Sequence, residues 1–394
     1  MKITIYSRLC LTPIVIRKDK QRYIVEDTNT GEFYEMPTIC IDAIKMIKNG
    51  ESLSKVEQEL MKTYPHEEVN LLDFAQQLLD FHLVAEIDGV KVHLTKKRKE
   101  ELGFLWINPK FGSLFFNHIA RYFYLVLFGI IILLFILRPS LLPQYKDLFV
   151  FDLMVLNIPT WVAISAVLML VHELGHILAM RFHNLPTKLE VGNRLFLVVL
   201  ETDMSSAWKL PSKERNVLYF AGLCFDTTVL FLALISQIVF ENGSETFLGI
   251  LKVMVLDIVI RVIYQCCIYM KTDLYFVFEN VTGCYNLMES AQDVIKSIFS
   301  MKKSSTNSSV MYENERSIIN VYAIFYFLGV CLTISLFVFY YIPQLLFALQ
   351  KVLPGFLKGP STLPFWDAML FSLQILIGIG LLLYSLRKNY IHHH

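Results

Sequence analysis

Hydrophobic residues change their rhythm near residue 100 of this chain. Before that point they come in short stretches: an alternating run at Tyr23 to Glu26, a turn at Asn29-Thr30-Gly31 and a second alternating run at Phe33 to Met36. Three segments of helical spacing follow, near 38 to 48, 53 to 63 and 68 to 83. The last carries a stripe of Leu71, Leu72, Ala75, Leu78 and Leu79, with Phe74 and Phe81 on its flank. Leu83-Val84-Ala85-Glu86-Ile87, Asp88-Gly89 and Val90 to Leu94 then read as a β-hairpin. This order predicts a small α+β module of winged-helix type over residues 1 to 95.

Beyond the basic run Lys96-Lys97-Arg98-Lys99 the apolar stretches lengthen. Six of them, about 117 to 138, 151 to 181, 215 to 240, 246 to 270, 317 to 342 and 365 to 386, exceed the roughly 20 residues a helix needs to cross about 30 Å of hydrocarbon. The expected fold is therefore mainly α, a polytopic membrane protein of about six transmembrane helices. The α+β module occupies 1 to 95, a basic linker 96 to 116 and the membrane domain 117 to 391.

Composition makes the lipid bilayer the main solvent, because 55% of residues are hydrophobic and 18% charged, against about 25% charged in ordinary soluble domains. Under a six-crossing count the basic clusters at 96 to 99, Lys209 to Arg215, Lys302-Lys303 and Arg387-Lys388 share one face. That asymmetry predicts that both termini are cytoplasmic. Met1 to Val15 holds Arg8 and lacks the long apolar core of a secretory signal, which also keeps the N-terminal module in the cytoplasm. The net charge of +1, and a third helix bearing Asp73 and Asp80 without Lys or Arg, argue against a nucleic-acid partner. Seven cysteines without a CxxC pair read as reduced thiols.

The chemistry concentrates in Val171-His172-Glu173-Leu174-Gly175-His176, inside the second apolar stretch. Two histidines four residues apart share one helix face and can grip one metal, while Glu173 projects beside them as a base for water. Ionisable groups at this depth are costly unless they face a cavity and act there. The metal of this pattern is zinc, Zn2+, which needs a further protein ligand and an open position for hydrolysis. Phe182 stands where a third histidine would follow in one soluble family of this motif, and His183 is one residue too late. Two carboxylates remain. Asp273, in Lys271-Thr272-Asp273-Leu274-Tyr275, lies at the cytoplasmic end of the fourth stretch, at the depth of the histidines; Glu201 lies in a strand-like run from Leu195 to Asp203 and is the runner-up.

This pattern resembles the site-2 protease family of intramembrane zinc metalloproteases, in its bacterial branch of peptide zinc metalloproteases. The likeness runs over about 150 to 290. It implies that His172, His176 and an aspartate from a later helix, Asp273, hold the metal and that Glu173 is the catalytic base. Leu274 departs from the family's usual glycine, and Gly222-Leu223-Cys224-Phe225-Asp226 stands where a Gly-Pro-x-x-Asn-like stretch is expected. Asp226 is thus either a substrate-binding, pocket-lining group or an interhelical hydrogen-bond partner. Asp257 and Arg261, four apart, read as an ion pair. Leu189 to Leu200 reads equally as an edge that pairs with an extended substrate or as a structural hairpin.

Residues 1 to about 95 resemble the PqqD-like domain, which recognises leader peptides of ribosomally made, modified peptides. The strand with Phe33 and the helix flank with Phe74 and Phe81 are its candidate substrate-binding groove. Together the resemblances imply an endopeptidase of the bacterial cell membrane that cleaves a precursor or leader peptide near the cytoplasmic face. A regulatory protease cutting a membrane-bound signalling protein, and a non-hydrolytic peptide-binding export or immunity component, are the alternatives.

Overall fold

The computed structural model describes residues 3–20, 22–67, 69–92, 103–151, 154–194, 197–299 and 313–392. The chain forms two units, one of Met1–Leu102 with Ser205–Ser212, the other of Gly103–Met204 with Lys213–His394. The basic run at 96 to 99 and Lys302-Lys303 lie outside the described residues.

The first unit contains strands β1 (Leu9–Leu11), β2 (Ile14–Asp19), β3 (Arg22–Asp27) and β4 (Phe33–Met36), helices α1 (Thr38–Lys48), α2 (Leu53–Thr63) and α3 (Leu71–Asp80), and strands β5 (Val84–Ile87) and β6 (Val90–Lys91). β2, β3 and β4 form one antiparallel sheet in that order; β1, β5 and β6 form another, in which β5 is central. The helices follow from apolar spacing: Ile41, Ile44 and Ile47 of α1, Leu53, Val56 and Leu60 of α2, and Leu71, Ala75 and Leu78 of α3 are all buried in one core with Val25, Leu83 and Val84. Leu72, expected in the stripe, faces outward.

α3 is shorter than its apolar pattern predicts because both ends are stopped locally. Asn70 accepts a hydrogen bond from the Asp73 amide at 3.0 Å and caps its start, and His82 takes a left-handed φ of 58° just past its end. Two strands were not foreseen. β2 pairs with β3 from Ile14↔Asp27 to Asp19↔Arg22, yet its Ile-Val-Ile-Arg-Lys-Asp run does not alternate. β1 finds its partner almost eighty residues away, Leu9 opposite Ile87, a pairing that no local pattern announces. Ser205–Ser212 joins this unit through the Arg17 guanidinium, which donates to the carbonyls of Trp208 and Lys209, and through Lys209 and Glu26 at 2.9 Å.

The second unit holds α4 (Pro109–Phe116), α5 (His118–Leu137), α6 (Met154–Phe182), the hairpin β7 (Leu189–Arg194) and β8 (Leu197–Thr202), then α7 (Ser212–Tyr219), α8 (Ala221–Val239), α9 (Glu245–Gln265), α10 (Asp273–Thr282), α11 (Leu287–Phe299), α12 (Glu313–Leu336), α13 (Ile342–Val352) and α14 (Leu363–His392). Ile131 of α5, Leu168 of α6, Leu230 and Leu234 of α8, and Leu251, Val255 and Ile258 of α9 meet in one core. Tyr275, Leu287, Ala291, Ile319 and Tyr322 join α10, α11 and α12 in another.

Among the described residues, five segments are long and apolar enough to cross a membrane: His118–Leu137, Leu156–Phe182, Ser212–Val239, Glu315–Phe339 and Leu363–Leu381. The expected sixth, 246 to 270, is helical as α9 but does not qualify, because Lys252, Asp257 and Arg261 interrupt it. Its helix also stops at Gln265, so Asp273 opens α10 and does not close the fourth span. The supposed linker is structured over its second half: α4 lies within it, and the Arg181 guanidinium of α6 is buried against it, donating to the Ile107 carbonyl at 3.0 Å.

Removing the fully buried Ile44 side chain leaves a cavity at the centre of the first core. Ile44→Ala should cost about 2–5 kcal/mol. Hydrogen exchange on the full chain should show faster exchange in α1, α2 and α3 than in α5 or α8.

Candidate metal centre

α6 places His172 and His176 on one face, one turn apart. Opposite stands the start of α8, which comes unusually close. A Cβ on Gly175 would sit 2.6 Å from the Ala221 carbonyl oxygen, and one on Gly222 would sit 2.6 Å from His176 Nε2 and closer still to His172 Nε2. Only hydrogen at both positions lets the two helices approach with the imidazoles between them. The third side enters from α10, where Asp273 occupies the first helical position after the cap Thr272.

The donor atoms converge. His172 Nε2 lies 3.2 Å from His176 Nε2 and 3.0 Å from Asp273 Oδ2, and His176 Nε2 lies 3.3 Å from that same oxygen. Tetrahedral zinc with bonds of about 2.0–2.1 Å spaces its ligand atoms about 3.3 Å apart. All three residues are buried and can hold a metal ion.

Hydrogen bonding on the far side of each ring strengthens the fit. His176 Nδ1 lies 2.9 Å from the Leu218 carbonyl, which can only accept, so the ring proton sits on Nδ1. His172 Nδ1 lies 2.7 Å from Asp226 Oδ2 and donates to that carboxylate in the same way. In neutral imidazoles both Nε2 atoms are then bare lone pairs, aimed at each other and at an anionic oxygen. Three acceptors within 3.3 Å of one another, sharing no proton, repel unless a cation lies between them.

Glu173 follows His172 on the helix and turns to a different partner. Thr202 at the end of β8 donates from Oγ1 to Glu173 Oε2 at 2.7 Å, so the hairpin orients the expected base. Glu201 is the neighbour of Thr202, and strand alternation sends it to the other face. Its carboxylate lies over Gly192 of β7, where a Cβ would clash with it, and it has no part in the metal cluster. The runner-up ligand is thereby set aside.

Asp226 is 1% exposed and bonded to His172, so it makes the interhelical bond that was one of its two expected roles. Arg261 lies 2.7 Å from Asp257, as expected, and faces Asp226 at 3.7 Å. The aromatic groove of the first unit also differs from expectation. Phe81 meets Tyr34, ring centroids 4.8 Å apart, and the Tyr34 hydroxyl donates to the Phe81 carbonyl at 3.3 Å. Alternation puts Phe33 on the opposite face of β4 from Tyr34, and Phe74 is half-buried against the core. Phe33, Phe74 and Phe81 therefore do not line one groove. Tyr34 was missed, although its period-2 relation to the buried Met36 marks it as facing the helices.

Thr202 and Gln265 were also missed. Gln265 donates from Nε2 to Asp273 Oδ2 at 2.8 Å and accepts from the Asp273 amide at 2.9 Å. A lone threonine and a lone glutamine carry no motif; only their position after a strand and a helix, facing a carboxylate, identifies them.

Comparison with protein-family models, with curated proteins and with solved structures finds no match to this chain.

Because Gly222 touches both imidazoles, Gly222→Ala should lower metal content by about tenfold or more. Gly378→Ala, whose new methyl meets nothing within 4 Å, should leave it unchanged. Elemental analysis of protein isolated without chelators checks both.

Proposed function

We propose that the chain is a membrane-embedded zinc endopeptidase of site-2 protease type that cleaves a precursor or leader peptide of a ribosomally made, modified peptide near the cytoplasmic membrane face. The observation that carries this reading is the buried convergence of His172 Nε2, His176 Nε2 and Asp273 Oδ2, with a glutamate at the next position of the same helix. Zinc is the natural occupant of a two-imidazole, one-carboxylate donor set, and when bound it supplies a Lewis acid that activates water near neutral pH.

The chain's own residues divide the work. His172, His176 and Asp273 hold the ion. Glu173 takes a proton from the attacking water and hands it to the leaving amine, and Thr202 keeps its carboxylate turned to one side through the 2.7 Å bond. The β7–β8 hairpin ends at Thr202, so a peptide strand added along it would run toward the same carboxylate. Such addition would replace the helix hydrogen bonds that hide a scissile carbonyl within a membrane.

Counting α9 as a crossing helix returns the six crossings and a cytoplasmic position for both termini. Asp257 and Arg261 are paired with each other, so α9 fails the apolarity of a lipid-facing span for a reason that suits an internal one. The bacterial cell membrane is the location this reading implies. Capture of the leader falls to the first unit, where β4 is an edge strand of its sheet and the Tyr34–Phe81 ring pair offers a side-chain contact.

Purified full-length protein should carry about one zinc per chain. Glu173→Gln should keep that zinc yet lose peptide cleavage by several orders of magnitude, read by mass spectrometry on candidate precursor peptides. Retained cleavage would move the base elsewhere; a wild-type protein with zinc and no cleavage of any peptide would favour the binding component. If the first unit captures substrate, Phe81→Ala should raise KM several-fold and leave kcat near wild type, checked by steady-state kinetics on the cleaved peptide.

A further inference from the structure

One helix supplies no metal donor and yet stands behind two of the three. On α9, Asp257, Arg261 and Gln265 recur every four residues and so share a face. Gln265, at the C-terminal end, grips Asp273 at two points, donating to Oδ2 at 2.8 Å and accepting from its backbone amide at 2.9 Å. The Thr272 hydroxyl closes the junction by donating to the Gln265 carbonyl at 2.8 Å. Rotation of the Asp273 carboxylate away from the histidines would break the first of these bonds, so Gln265 sets which oxygen points at the metal.

One turn earlier, Arg261 lies between two carboxylates. Its Nη2 bonds Asp257 Oδ2 at 2.7 Å and its Nη1 faces Asp226 Oδ1 at 3.7 Å. The other oxygen of Asp226, Oδ2, accepts from His172 Nδ1. Asp257 is in turn bonded by the Ser165 hydroxyl, two turns before His172 on α6. A closed circuit thus runs from α6 through α9 and α8 back to α6, and it ends on the imidazole that must present a lone pair.

We propose that Gln265 and Arg261 are positioning residues of the metal centre: Gln265 orients the Asp273 carboxylate directly, and Arg261 orients His172 through Asp226. This rests on the metal reading above and adds to it a helix that the ligand motif does not contain. Partners of this kind fix the tautomer and ring direction of a histidine ligand, and their loss weakens metal binding even though no ligand is removed. The competing possibility is that the stripe only fastens α9 into the bundle.

The test uses full-length protein in detergent, stripped with a chelator, titrated with Zn2+ against a competing chromophoric chelator and with Co2+ followed by visible absorption. Gln265→Met, which keeps side-chain length and loses both bonds to Asp273, should raise the zinc Kd by about 10–100-fold and shift the Co2+ bands. Arg261→Lys should raise it by a smaller factor, and that factor should vanish in an Asp226→Asn background, because the arginine acts through the aspartate. If Gln265→Met does not fold, the Arg261 and Asp226 double-mutant cycle decides alone. Variants that melt earlier without metal but keep the wild-type zinc Kd and Co2+ bands overturn the proposal and leave the metal centre standing. Wild-type protein that binds neither ion overturns the metal reading itself.

Discussion

Three acceptor atoms held together inside an apolar helix bundle are an electrostatic liability, and the second unit is arranged around that fact. The arrangement needs two helices closer than side chains normally allow, which is met by Gly175 against Ala221 and by Gly222 against both imidazoles. It also needs each imidazole proton kept on the far side, which the Leu218 carbonyl and the Asp226 carboxylate achieve. With those protons fixed, the near side of the site is all lone pairs, and a cation is the group that turns their repulsion into binding.

Burying a donor set draws further polar groups inside behind it. Asp226 serves His172, Arg261 balances Asp226, and Asp257 balances Arg261. Each member would be costly alone in low dielectric and is tolerable only because the next one answers it. The same chain of compensation explains why α9 is not apolar enough to count as a spanning helix although it is packed in the core with α5, α6 and α8. Its charges stand in the same hydrogen-bonded chain as His172, and an isolated lipid-facing helix would have kept them at a high cost.

In the proposed reading, the hairpin and the first unit each offer a strand edge to an extended peptide. β8 ends at Thr202, whose hydroxyl donates to Glu173, so the strand and the expected base are joined by one hydrogen bond. In the first unit an edge strand lies beside an aromatic pair. Both features are strand edges of the kind to which an extended peptide can add through backbone hydrogen bonds.

Much of this was legible in the sequence because it is local. The spacing of His172, Glu173 and His176 needs only the helical repeat, the three short helices of the first unit follow from their apolar stripes, and Asn29-Thr30-Gly31 and Asp88-Gly89 mark turns between its strands. Glu201 and Asp273 could not be separated on the same grounds, because which carboxylate reaches the histidines depends on strand alternation and on where α9 stops. Phe33 was placed in the groove and Tyr34 was missed, because packing decides which face of β4 meets α3. β1 was invisible because its partner lies almost eighty residues on. Gln265, Thr202 and the role of Asp226 belong wholly to tertiary structure: amide, hydroxyl and carboxylate groups acquire a function here only from the atom 2.7–2.9 Å away, and that neighbour comes from another element of the chain.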